Sequence, residues 1–128
     1  MPFSVEVDEQ KHVVISRWQG GVDEQLLRQY VDDAWSAPSR RGYNELIDFS
    51  GVTEVNASFE TIQAMAEYSR QFDNPETTAR TALVAPTALL FGLSRMFASL
   101  RTSDESENRE FAVFESEPEA LRWLADAS

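Results

Sequence analysis

The sequence predicts a mixed α/β domain with the element order ββαβαβαβα, and three observations predict it. Residues 3–8 alternate between apolar and polar side chains, the period of a half-buried strand. Helical spacing of apolar residues begins after Asp23, Ser58, Pro86 and Ser116, each a capping or helix-opening residue type. Short apolar runs separate these segments, so strand and helix alternate, as they do when parallel strands are joined by crossover helices. The expected sheet has about five strands, the first joined antiparallel at an edge, with four helices.

Each element has its own signal. Phe3, Val5 and Val7 alternate with Ser4, Glu6 and Asp8. Asp8-Glu9-Gln10-Lys11 turns the chain into a second strand from His12 to Trp18, which Gly20-Gly21 is expected to break. Leu26, Leu27, Tyr30, Val31 and Ala34 mark the first helix, capped by Asp23 and closed by Pro38. Leu46 to Phe49 reads as a short strand ending at Ser50-Gly51. Ser58 caps a second helix whose core face carries Phe59, Ile62, Met65, Ala66 and Phe72, before Asn74-Pro75 stops it. Thr81 to Ala85 is nearly all apolar, as a strand covered on both faces must be. Pro86 opens a third helix to about Arg101, and the polar stretch Thr102–Arg109 is a loop. Phe111 to Phe114 forms the last strand. Ser116-Glu117-Pro118-Glu119 fits a capping box before a helix burying Ala120, Leu121, Trp123 and Leu124.

Composition narrows the class. A chain of 128 residues fits one domain, with no internal repeat and no linker. The absence of cysteine excludes disulfides, thiolate nucleophiles and cysteine metal sites. The start MPFSVEVDEQ has neither a basic patch nor an apolar run, and no apolar stretch is long enough to span a bilayer, so a cytoplasmic location is expected. A net charge of −11 argues against nucleic acid as a partner.

No catalytic kit is visible. His12 is the only histidine, placed at a turn with no serine or cysteine nucleophile beside it. One histidine without metal-ligand spacing predicts no metal site, and no cofactor motif is present. Asp32-Asp33 and Asp104-Glu105 read as solvated runs. Asp48 ends an apolar strand near the crevice expected at the carboxyl ends of an open sheet. It serves there either as an acid of raised pKa or, more commonly, as the acceptor that organises the next loop.

The third helix is the most apolar segment. At about 100° per residue, Leu89, Leu90, Leu93, Met96, Phe97 and Leu100 fall on one arc of about 120°. Phe91 falls nearly opposite, beside Arg95 and Ala98. Two functional readings follow. Met96, Phe97, Met65, Phe72 and Trp18 line a cavity for an apolar or lipid-like ligand, or Phe91 and its neighbours form a homodimer or partner interface. Simple core packing explains every one of these residues except Phe91.

The segment Leu46-Ile47-Asp48-Phe49-Ser50-Gly51-Val52-Thr53-Glu54-Val55-Asn56-Ala57-Ser58 resembles the centre of STAS domains, the SpoIIAA-like anti-sigma-factor antagonists. The stretches Arg80–Pro86, Phe91–Phe97 and Phe111–Leu124 are similar to the same group, including its STAS/SEC14-like branch. The resemblance implies a mixed sheet wound with helices, and a regulatory role through protein contact. In some branches it also implies binding of lipids or other apolar small molecules. It implies no enzymatic activity and no cofactor. It places Ser58 at the phosphoacceptor position and Asp48, Ser50 and Gly51 in the loop at the strand end. Asn56, Ala57 and Phe59 depart from the phosphoswitch pattern, and a plain N-cap, contributing about 1 kcal/mol, accounts for Ser58 more readily than a phosphoacceptor does.

Overall fold

The computed structural model describes residues 2–102 and 108–126. Among the described residues the elements run β1 (Phe3–Asp8), β2 (Val13–Asp23), α1 (Glu24–Trp35), β3 (Asn44–Asn56), α2 (Phe59–Ser69), β4 (Ala79–Val84), α3 (Ala88–Thr102), β5 (Arg109–Phe114) and α4 (Glu117–Ala125). The expected order ββαβαβαβα is the observed one. The loop expected at Thr102–Arg109 has Thr102 closing α3 and Arg109 opening β5, while Asp104 and Glu105 lie outside the described residues.

The five strands lie in sequential order β1-β2-β3-β4-β5. β1 pairs antiparallel with β2, and every later pairing is parallel. A sheet that always advances in one direction through crossovers of one hand puts its crossover helices on one face. Accordingly α1 packs on β2 and α2, and α2 on α3, which packs on β5. The opposite face is covered by α4, which folds back over β3, β4 and β5.

The caps explain where the helices start. Asp23 accepts from the Leu26 amide at 2.9 Å, and Ser58 accepts from the Thr61 amide at 3.2 Å. Ser116 caps α4 differently from the expected capping box. Its hydroxyl donates to Glu119 Oε1 at 2.9 Å and makes no side-chain bond to the helix backbone.

Several expectations are corrected. Gly20-Gly21 does not break β2, and Ser50-Gly51 does not end β3; both strands continue, pairing as far as Asp23 and Asn56. The glycines instead absorb register shifts, which fall between Arg17 and Gln19 and between Gly20 and Gly21. A side chain on Gly51 would sit 2.6 Å from the Trp18 carbonyl oxygen, so glycine allows the close approach, and Gly20 takes a φ of 74°. α2 ends at Ser69, and Phe72 belongs to a following 3-10 turn, Arg70–Phe72. Phe59 and Leu121, expected in the core, are exposed. Phe59 is the first residue of α2, where the helix has barely reached the sheet. Leu121 follows Ala120 on the outer side of a helix that seats only Ala120 and Leu124.

The largest correction concerns α3. Its buried residues are Leu90, Ser94 and Arg101, with Phe97 packed beside them, while Leu89 is 59% exposed. At 100° per residue this face is rotated by about 70° from the centre of the apolar arc. The reason is that α3 contacts β5 on one side and α2 on the other, so its inward line bisects the two. The rotation also half-buries Phe91 against the core, where an outward-facing Phe was expected.

Candidate functional site

The two faces of the sheet are filled differently. Under α4, Leu46, Ala82, Val84, Ala120 and Leu124 make a closed apolar cluster. Under α1, α2 and α3 the packing leaves a cavity of about 100 Å³. Its walls are apolar side chains from β3 and the three helices, among them Val31, Ile47, Ile62, Met65, Leu90 and Phe97.

One end of the cavity is polar and charged, and strand alternation builds it. Glu45, Ile47 and Phe49 share a face of β3, as Thr81, Leu83 and Ala85 do along β4 and Arg109, Phe111 and Val113 along β5. Glu45 pairs in register with Thr81, and Arg109 with Ala79. The side chains then close a network. The Tyr30 hydroxyl donates to Glu45 Oε2 at 2.5 Å, and the Thr81 hydroxyl to Glu45 Oε1 at 3.0 Å. Arg109 Nη1 donates to Thr81 Oγ1 at 3.0 Å, and its Nη2 to the carbonyls of Arg41 and Tyr43 at 3.2 and 2.9 Å. Asp73 forms ion pairs with Arg101 and with Arg109, and Arg101 also donates to Ser69 Oγ at 2.8 Å. The guanidinium groups lie over rings, Arg109 over Trp35 at 5.2 Å and Arg101 over Phe111 at 4.6 Å.

Burial, the charge of Glu45 and the hydrogen bond to it push the Tyr30 hydroxyl well above its ordinary pKa, so it stays protonated and donating. Burial lowers the Arg109 pKa, against the opposing pull of Glu45 and Asp73. Among the described residues the network sets two acids, Glu45 and Asp73, beside two arginines, Arg101 and Arg109.

A second polar cluster lies on the α4 face. Asp48 Oδ1 accepts from the Ser50 amide at 2.8 Å and from its hydroxyl at 2.5 Å. Arg17 donates to Glu117 Oε1 at 2.7 Å and pairs with Glu6 at 3.5 Å. Burial alone would raise the Asp48 carboxyl. Hydrogen bonding with Glu117 and Ser50, together with the Arg17 charge, outweighs burial and holds it below the usual carboxylate range. Asp48 is an acceptor, as one of its two roles had it, but it holds Ser50 at a register shift inside β3 and not in a loop.

This architecture has counterparts. No family model matches the sequence, and no curated protein matches it. One similar solved structure is an uncharacterised protein of the DUF3478 family with a SpoIIAA-like fold, from Shewanella loihica PV-4. It superposes with a TM-score of 0.59 at 17% identity, over 95% of this chain and 93% of that one. Another is an anti-sigma factor antagonist from Mycobacterium paratuberculosis, with a TM-score of 0.50 at 18% identity, over 97% and 95% of the two chains. The chain has a SpoIIAA-like fold.

Within that fold the residues singled out from the sequence separate. Met65, Phe72 and Phe97 line the cavity. Trp18 does not; it is buried in the adjoining core, stacked on Phe3 at 4.7 Å, with its indole N–H donating to Ser16 Oγ. Met96 and Phe91 are half-buried and do not line the cavity. Ser58 is exposed at the start of α2 with its hydroxyl engaged in the cap. Asp48, Ser50 and Gly51 lie together in β3 on the way to α2. His12 sits in the β1–β2 turn, stacked on Tyr43 at 4.7 Å.

Sequence reasoning missed Glu45, Thr81, Arg109, Asp73, Arg101 and Ser94 as site residues. Extending each strand one period outward from its apolar run would have found Glu45 and Arg109. Among the described residues no helix is long and apolar enough to cross a membrane.

Proposed function

We propose that this SpoIIAA-like chain is a cytoplasmic, non-enzymatic regulatory module of the STAS type, acting through protein contact and holding an apolar small molecule in its core. The observation that carries the ligand half is the apolar cavity beneath α1, α2 and α3. Cavities of this lining are the usual form of small-molecule sites. The protein-contact half is supported by exposed apolar side chains at one end of the fold. Phe59 and Leu89 open α2 and α3, which follow the carboxyl ends of β3 and β4, and they are 49% and 59% exposed. A protein partner or a second copy of the chain covers that end in this reading. The non-enzymatic reading is supported by the state of the buried acids, which are held as hydrogen-bond acceptors or ion-pair partners.

The alternative of a carrier for long lipids is disfavoured by size. About 100 Å³ is less than the roughly 150 Å³ apolar cavity that accommodates benzene in another protein. A phosphoswitch at Ser58 competes with the cap that the hydroxyl already forms. Native mass spectrometry of gently purified protein tests the proposal, because it reads bound small molecules and oligomeric state together. A copurified or readily exchanged apolar molecule at one per chain is the expected result. A chain that neither carries nor takes up any apolar molecule would overturn the ligand half.

A further inference from the structure

Among the described residues the sheet has two edges, β1 and β5, and they are guarded unequally. β1 carries Glu6 and Asp8, and Arg17 of β2 pairs with Glu6 at 3.5 Å. Charges along an edge are a usual guard against pairing with another chain. β5 has Glu110 near its start and then Phe111-Ala112-Val113-Phe114, with no charge, no proline and no register shift against β4. All four of these residues are only half-buried. We propose that this edge receives a second copy of the chain, joined β5 to β5 in antiparallel register so that the two sheets become one. It is a different surface from the Phe59 and Leu89 end and does not depend on it.

The backbone decides which groups are available. The Asn108 and Phe114 carbonyls accept from the amides of Ala79 and Ala85, on the β4 side, at 3.4 and 2.9 Å. Alternation turns the groups of Glu110 and Ala112 the same way, so the N–H and C=O of Arg109, Phe111 and Val113 point outward. Among the described residues the outward groups of Phe111 and Val113 meet no partner. A two-fold axis at Ala112 sets Phe111 opposite Val113 of the second copy and Val113 opposite its Phe111, each pair exchanging two hydrogen bonds. Ala112 then faces its own copy in the closely spaced position, with about 4.5 Å between α carbons, where a methyl side chain fits. Arg109 comes opposite Glu115 of the second copy, and Glu110 opposite Phe114, so unlike charges meet and like charges do not. Beside the edge, Arg95, Ala98, Ser99 and Thr102 of α3 line a groove of about 300 Å³ with Phe111 and Val113. The short side chains of Ala98, Ser99 and Thr102 leave an added strand its room on the α3 side.

The test is sedimentation equilibrium of the full chain at about 0.15 M salt, where repulsion between the acidic copies is screened beyond about 8 Å. The native chain is expected at twice the mass of one chain. Ala112→Lys sets two like charges face to face on the axis, and Val113→Pro removes an outward N–H that β4 does not use. Both variants are expected as monomers, whereas Val5→Lys on β1 and Leu89→Lys on α3, at exposed sites, are expected to stay dimeric. Amide hydrogen exchange reads the same edge without a substitution. The Phe111 and Val113 amides are expected to exchange slowly in the concentrated native chain and to lose that protection on dilution to monomer. A native chain that is monomeric at millimolar concentration would overturn the proposal and leave the edge to an extended segment of another protein. Growth into open assemblies would overturn it too, since β5 paired with β1 of the next copy adds chains without closing. So would a dimer whose Phe111 and Val113 amides exchange freely, or one that Leu89→Lys dissociates and Ala112→Lys does not.

Discussion

The two faces of the sheet are packed differently. Under α4, Leu46, Ala82, Val84, Ala120 and Leu124 pack as one small apolar cluster. Under α1, α2 and α3 a larger apolar core leaves a chamber. There the chain spends two arginines, two acids, a tyrosine and a threonine on one connected network at the chamber's end. The network reaches from β3, β4 and β5 to the segment before β3 and the turn after α2, adding polar ties to segments whose Tyr43 and Phe72 also pack on the core. The lesson is that the α4 face is held by apolar burial alone, whereas the open face joins a larger apolar core to a network of hydrogen bonds and ion pairs.

The largest expected effect comes from breaking the network. Arg109→Met removes a buried guanidinium, takes one of two arginine partners from Asp73 and leaves the carbonyls of Arg41 and Tyr43 without that donor. It is expected to cost about 3–5 kcal/mol in urea denaturation and to abolish apolar ligand binding. Leu124→Ala on the closed face is expected to cost somewhat less, about 2–4 kcal/mol, and to leave ligand binding unchanged. If Leu124→Ala weakened ligand binding as much as Arg109→Met, the division of labour between the faces would be wrong.

Smaller effects separate the faces by pH. Tyr30 has a raised pKa in the folded chain, so its contribution is full below about pH 10, the ordinary tyrosine value, and falls as pH climbs from there. Tyr30→Phe is expected to lower stability at neutral pH by about 1–3 kcal/mol, because Glu45 loses a donor, and to flatten the alkaline decline. Asp48 has a lowered pKa, so its contribution is full above the ordinary aspartate value of about 4 and is lost as pH falls through its folded value. Asp48→Asn is expected to flatten the acid limb alone. Urea midpoints across the pH range check both, and a variant that altered the opposite limb would contradict the assignment.

The legibility of these regions differs for a physical reason. The strand period, the caps at Asp23 and Ser58 and the alternation of elements are local, and each could be read from a few neighbouring residues. The chamber's polar end is not local. Glu45 and Arg109 each lie just before an apolar run, and their meaning depends on which residues the parallel register sets beside them. Ser94 was hidden because an amphipathic arc weighs only apolar side chains, while the helix was oriented by contacts with α2 and β5. Gly20 and Gly51 read as strand ends because their role, a register shift between two long strands, needs both strands to be seen at once.

The claim that the open face holds a ligand is tested most directly by backbone and methyl NMR of the full chain under increasing xenon pressure, xenon being an apolar probe smaller than benzene. The account predicts saturable shifts at Val31, Ile47, Met65 and Leu90, residues of the chamber wall, with Val84 and Leu124 under α4 unmoved. Absence of saturable shifts, or shifts of equal size on both faces, would contradict it.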